Sequence, residues 1–214
     1  MRSRWFAPLC IGAMIAFGAL VYPQLPERVP SHWNITGQVD ATSGRLLAVL
    51  LLPALTVGIW LLMLGLPRID PRRAAYAAFA GTYRLFINVL VLFLAGLYVV
   101  VLGAGLGWQF GVPQLIGAGV GLLLAVLGNE LGRVQPNWFV GIRTPWTLAD
   151  PEVWRRTHRF GGRAFFIAGV LIALASLLLP PAASAFVILA GALGAGFLSV
   201  GYSYLCWRQR VEVQ

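Results

Sequence analysis

The chain of 214 residues contains no lysine; all 16 of its basic side chains are arginine. Charge of either sign is scarce. Asp, Glu, Lys and Arg make up 11% of the residues, against roughly 25% in soluble domains, which excludes an ordinary soluble fold. The two cysteines, Cys10 and Cys206, both fall inside apolar runs. They are expected to be reduced packing residues, which excludes a disulfide framework. Histidine occurs only at His32 and His158. One His with one nearby Asp falls short of the three or four ligands of a metal site, and no cofactor is expected.

What abounds is apolar. Hydrophobic residues make up 59% of the chain, and mean hydropathy is +0.79. Helical runs of about 20 such residues match the hydrocarbon thickness of a bilayer. The sequence therefore predicts an all-α, polytopic integral membrane protein. Its six transmembrane helices fall at roughly 5–22, 46–66, 85–106, 113–131, 164–179 and 184–206. Arg2 and Arg4 precede the first run as in a signal peptide, but no small-x-small site follows. An uncleaved helix is expected. Pro53 is expected to kink the second span, and Asn88 to bond to a neighbouring helix. The glycines at Gly103, Gly107, Gly117 and Gly121 and in the run Ala190–Gly196 are expected to pack the helices of one monomer together.

Arginine placement orients the spans. With the N-terminus in the cytoplasm, 14 of the 16 arginines lie inside and only Arg28 and Arg45 outside. The whole net charge of +9 then sits at the cytoplasmic face. Such a face attracts anionic lipid headgroups at about 1 kcal/mol per basic residue. That accounts for the basic balance, and nucleic acid is not required.

Two connections carry more chemistry than a linker needs. In the outer loop, residues 23–45, Pro26 and Pro30 enforce extended backbone, so Val29–Asn34 suits a short strand. Thr36-Gly37 suits a turn and Ala41–Gly44 a small polar loop. His32, Trp33, Asn34 and Asp40 form a polar cluster, either a ligand site or a His–Asp pH switch. The alternative puts Trp33 in the interfacial aromatic belt and leaves the polar groups to tie down the loop.

The cytoplasmic loop, residues 132–163, divides in two. Gln135–Leu148, with Pro136, Gly141 and Pro145, is expected to be irregular or extended. Asp150-Pro151-Glu152 is a helix start. Trp154, Thr157 and His158 then share one face of an interfacial helix, which runs into the short fifth span through Gly161-Gly162 as an inward extension of it, the glycines allowing a bend. Glu130, close to the membrane, needs a partner from Arg133, Arg143 or Arg159. The strip Arg143-Thr144-Pro145-Trp146-Thr147 points to a functional or fold-locking role.

Both loops carry a family resemblance. The stretch LPERVPSHWN at 25–34, followed by Gly37 and Asp40, resembles the DUF1648 membrane domain. The stretch NWFVGIRTPWTL at 137–148, then Trp154, Thr157-His158-Arg159 and Gly161-Gly162, resembles the SdpI-like immunity family. This divides the chain into a DUF1648-like domain at 1–66, a connecting region with the third span at 67–112, and an SdpI-like region at 113–214. The resemblance implies a bacterial inner-membrane immunity protein that protects against a secreted, membrane-active killing peptide. It also implies signalling, with a cytoplasmic repressor held at the membrane.

The candidate ligand or partner residues outside are His32, Trp33, Asn34, Gly37 and Asp40. Inside they are Glu130, Asn137, Gly141, Arg143, Thr144, Trp146, Thr147, Trp154, Thr157 and His158. The alternative is a small transporter or lipid-handling protein, with Glu130 and Arg143 as a gated pair and Asn88 on a path. No catalytic residue is expected. The two histidines fall on opposite sides of the membrane, and Thr157 points about 100° away from its neighbour His158.

Overall fold

A computed structural model of the chain describes residues 3–212. Arg2, counted among the inside arginines, lies outside the described residues. The elements run α1 (Phe6–Val21), a short 3-10 turn (Tyr22–Gln24), β1 (Arg28–Trp33), β2 (Val39–Gly44), α2 (Arg45–Ile69), α3 (Ala75–Ala78), α4 (Ala80–Gly105), α5 (Val112–Leu131), α6 (Pro145–Ala149), α7 (Pro151–Leu178) and α8 (Pro181–Val211). Six of the helices are long and apolar enough to cross a membrane, as expected. They form two groups of three, α1–α2–α4 and α5–α7–α8, which meet where α4 packs on α5.

Backbone chemistry explains the first group. Pro53 and Pro67 lie inside α2. Neither can donate the helical hydrogen bond to the carbonyl four residues earlier, at Val49 and Met63 respectively. Both orphaned carbonyls are taken by tyrosines of α4: the Tyr98 hydroxyl donates to Val49 at 3.0 Å, and the Tyr83 hydroxyl to Met63 at 2.6 Å. In a bilayer core water cannot supply that bond, so a neighbouring helix must. Asn88 donates to the Ser3 carbonyl at 2.9 Å, just ahead of α1.

Small residues hold the second group. A Cβ added at Gly121 would lie 2.4 Å from the Ala173 backbone, and one at Gly128 would lie 2.5 Å from that of Phe166. From the other helix, a Cβ at Gly169 would meet Ala125 at 2.4 Å, and one at Gly162 the Gly128 carbonyl at 2.7 Å. Helices α5 and α7 therefore run antiparallel at backbone contact, packing as expected for lipid. The expectation fails elsewhere. Gly103 packs against Trp108 and Phe110 of its own following loop, Gly107 turns the chain with φ +79°, and Gly194 and Gly196 of α8 face open space.

Three local expectations are corrected. Residues 41–44 are not a polar loop but part of β2, which pairs antiparallel with β1. Residues 145–149 are helical, because the Thr144 side chain caps α6 reciprocally with Thr147. The interfacial helix and the fifth span are not two elements. Helix α7 is one 28-residue element, and Gly161 and Gly162 serve close packing instead.

Candidate functional site

At one end of the bundle, the polar residues of 132–163 fold inward. Asp150 caps α7 by accepting from the amides of Glu152 and Val153, at 2.7 and 3.2 Å. It also accepts from Arg210 of α8 at 2.6 Å. Burial alone would raise this carboxyl, but the two amides and the guanidinium outweigh it and hold it below its ordinary value. The cap fixes the start of α7, which carries Trp154 and His158 into the interior rather than to a headgroup layer; their exposures are 1% and 0%.

His158 has no free nitrogen. Nδ1 contacts the Trp154 carbonyl at 2.8 Å, and Nε2 contacts the Ile142 amide at 3.0 Å. A carbonyl only accepts and an amide only donates, which assigns the proton to Nδ1 and leaves a neutral ring. That ring stacks on Trp154 at 4.0 Å, and the Trp154 indole donates to the Val134 carbonyl at 2.8 Å. Gly141 makes the approach feasible. Its φ is +113°, and a Cβ there would sit 2.3 Å from His158 Nε2.

Most of the other candidate residues of this end are held in the same way. Asn137 is fully buried. Its oxygen accepts from the amides of Phe139 and Val140, and its nitrogen donates to the carbonyls of Gln135 and Val140. Arg143 donates to the Trp138 carbonyl at 2.6 Å. Thr147 donates to Ile142, and Thr144 meets Ser203 of α8 at 3.1 Å. Trp146 rests on Tyr204 and Trp207. Buried Glu130 accepts from Thr82 at 2.9 Å and pairs with Arg133, the first of its three expected partners. The Thr157 hydroxyl is buried with no hydrogen-bond partner among the described residues.

Sequence reasoning missed the residue that ties this loop to the first helix group. Asp70 is 2% exposed and accepts from the Trp138 amide and the Tyr76 hydroxyl, each at 3.0 Å, and from the Arg72 amide at 2.7 Å. Arg72 in turn donates to the Leu148 carbonyl at 2.9 Å. Burial first, then the Asp70 carboxylate, push the Tyr76 phenol well above its ordinary value, so it remains a donor. The available signal was an Asp-Pro pair ending an apolar run, which recurs at Asp150-Pro151.

The hairpin β1–β2 forms the opposite end. Asn34 accepts from the Thr36 amide and hydroxyl and from the Gln38 amide, which closes the turn with Gly37 at φ +85°. Val29 is fully buried; it and Leu25 press on Gly105 of α4 and pin the hairpin down. Its other face is open. His32 Nδ1 meets Asp40 Oδ1 at 2.5 Å, with the side chains 68% and 42% exposed. Beneath lies an apolar cleft of about 500 Å³ lined by hairpin residues 31–34, Leu51, Leu97, Ile116 and Ile188. Val112 and Pro113, which start α5, line the same cleft. His158 lies beside the other end of that helix, so the two histidines stand a full span apart.

Residues 133–203 match the SdpI/YfhL protein family, and residues 9–57 match a domain of unknown function, DUF1648. The chain is also 27% identical over 157 residues to the Immunity protein SdpI of Bacillus subtilis (strain 168), covering 73% of each chain. No solved structure matches. Together with the six apolar helices, these likenesses make the chain a multi-pass bacterial membrane protein. The SdpI/YfhL segment includes the locked loop, all of α7 and most of α8, and the DUF1648 segment includes the hairpin.

Proposed function

We propose that this chain is an immunity protein of the bacterial membrane that confers resistance to a membrane-active toxin peptide, with the β1–β2 hairpin as the peptide-facing element. One contrast carries the reading. The conspicuous residues of 132–163 are largely consumed by internal hydrogen bonds, whereas His32 and Asp40 stand exposed above an apolar cleft. A membrane-active peptide is amphipathic. Its polar edge can meet the His32–Asp40 pair while its apolar face enters between α2, α4 and α5.

The arginine distribution supports a hairpin facing outside and a 132–163 end facing the cytoplasm. On this reading a cytoplasmic repressor is recruited at the arginine-rich end, where Arg155 and Arg156 are exposed. The test is survival of a sensitive cell expressing the chain and challenged with membrane-active peptides. His32→Ala and Trp33→Ala should lose protection while the protein still inserts at wild-type levels. Full protection by both variants rejects the hairpin as the contact.

A further inference from the structure

We propose that the α5–α7 notch at the 132–163 end is a binding site for the phosphodiester headgroup of an anionic phospholipid. The notch has a volume of about 360 Å³. Its floor is backbone, because Gly128 and Gly162 bring the two helices into contact and leave no side chain to fill it. Two guanidiniums border it. Arg159 and Arg163 are four residues apart on α7 and so project from one face. Among the described residues, neither has an acidic partner.

Depth distinguishes this site from a general basic surface. The antiparallel contacts set the register: Gly121 faces Gly169 and Ala173, Gly128 faces Gly162 and Phe166, and Gly132 faces Arg159. Arg159 is therefore level with the end of α5. Arg163 lies about 6 Å further along the axis, beside Asn129. One turn deeper, the lining becomes Phe166 and Ile167, 44% and 57% exposed. A polar mouth, a second cation one turn down and an apolar wall below reproduce the profile of a phospholipid from headgroup to acyl chain. The nearest carboxylate in sequence, Glu130, is buried and engaged with Thr82 and Arg133, so it does not cancel the two arginines. Guanidinium forks suit phosphate oxygens, and asparagine can donate a further hydrogen bond.

The test is native mass spectrometry of the full chain released from mixed phosphatidylglycerol–phosphatidylcholine nanodiscs. The wild type should retain phosphatidylglycerol in preference to phosphatidylcholine. Arg163→Gln should cut that preference about fivefold, corresponding to about 1 kcal/mol for one basic residue, and Arg159→Gln/Arg163→Gln should abolish it. Arg155→Gln, whose guanidinium pairs with Glu152, should leave it unchanged. Equal retention of both lipids by the wild type overturns the proposal, as does an unaltered preference in the double variant. Displacement of the lipid by millimolar inorganic phosphate also overturns it, because that identifies a site for soluble phosphate.

Discussion

Removing one oxygen at Tyr98 should expose the cost of a proline inside a membrane helix. Pro53 leaves the Val49 carbonyl without its helical donor, and the Tyr98 hydroxyl supplies the bond at 3.0 Å. Tyr98 is fully buried, and a Cβ on Gly18 of α1 would come within 2.0 Å of its hydroxyl, so α1, α2 and α4 close tightly there. Water has no room to replace the lost donor. A buried acceptor left without a partner costs about 1–3 kcal/mol, while interhelical bonds in bilayers average about 0.6 and reach about 1.7 kcal/mol. The enclosed site puts Tyr98→Phe near the upper bilayer value, at about 1.5 kcal/mol.

The decisive comparison is a double-mutant cycle measured by reversible unfolding in lipid–detergent micelles. Pro53→Ala restores an amide that can bond to the Val49 carbonyl. In that background Tyr98→Phe should cost no more than about 0.6 kcal/mol. An equal loss in both backgrounds would refute the pairing, since the cost would then arise from packing rather than from the carbonyl. A Tyr98→Phe variant as stable as the wild type would refute it more directly.

Other outcomes follow from the same geometry. Gly141→Ala should destabilise by about 2–4 kcal/mol through its positive φ and the collision with His158, whereas Gly12→Ala, which meets nothing within 4 Å, should be neutral or stabilising in the same unfolding assay. Gly128→Leu should separate α5 from α7, read as loss of the monodisperse peak in size-exclusion chromatography. Asp150 predicts an acid limb. Its folded pKa lies below the ordinary 3.8, so its contribution is complete above that value and is lost as pH falls through the lowered one. The unfolding midpoint of wild type should therefore drop more steeply on acidification than that of Asp150→Asn.

The helices were legible because lipid imposes one constraint on every spanning segment: a backbone bonded within itself and an apolar exterior. The start of α7 was legible for a similarly local reason, since Asp150, Pro151 and Glu152 each act within one turn. The β1 strand could be read from Pro26 and Pro30. Its partner β2 could not, because residues 39–44 owe their extended form to cross-strand pairing with Arg28–Trp33. Helix α6 depends on a Thr144–Thr147 exchange that a proline-bounded strip does not advertise.

By itself, the sequence determined the membrane class, the six spans and the two chemically rich connections, because hydropathy and helix-start signals act over short stretches of chain. Tertiary structure alone decided what the rich residues do. His158 is separated from Ile142 by 16 residues, and Asp70 from Trp138 by 68, and hydrogen bonds over such separations leave no periodic trace. That distance is why the loop with the most conspicuous residues proves to be a locked frame, while exposure is kept by His32 and Asp40 on the hairpin.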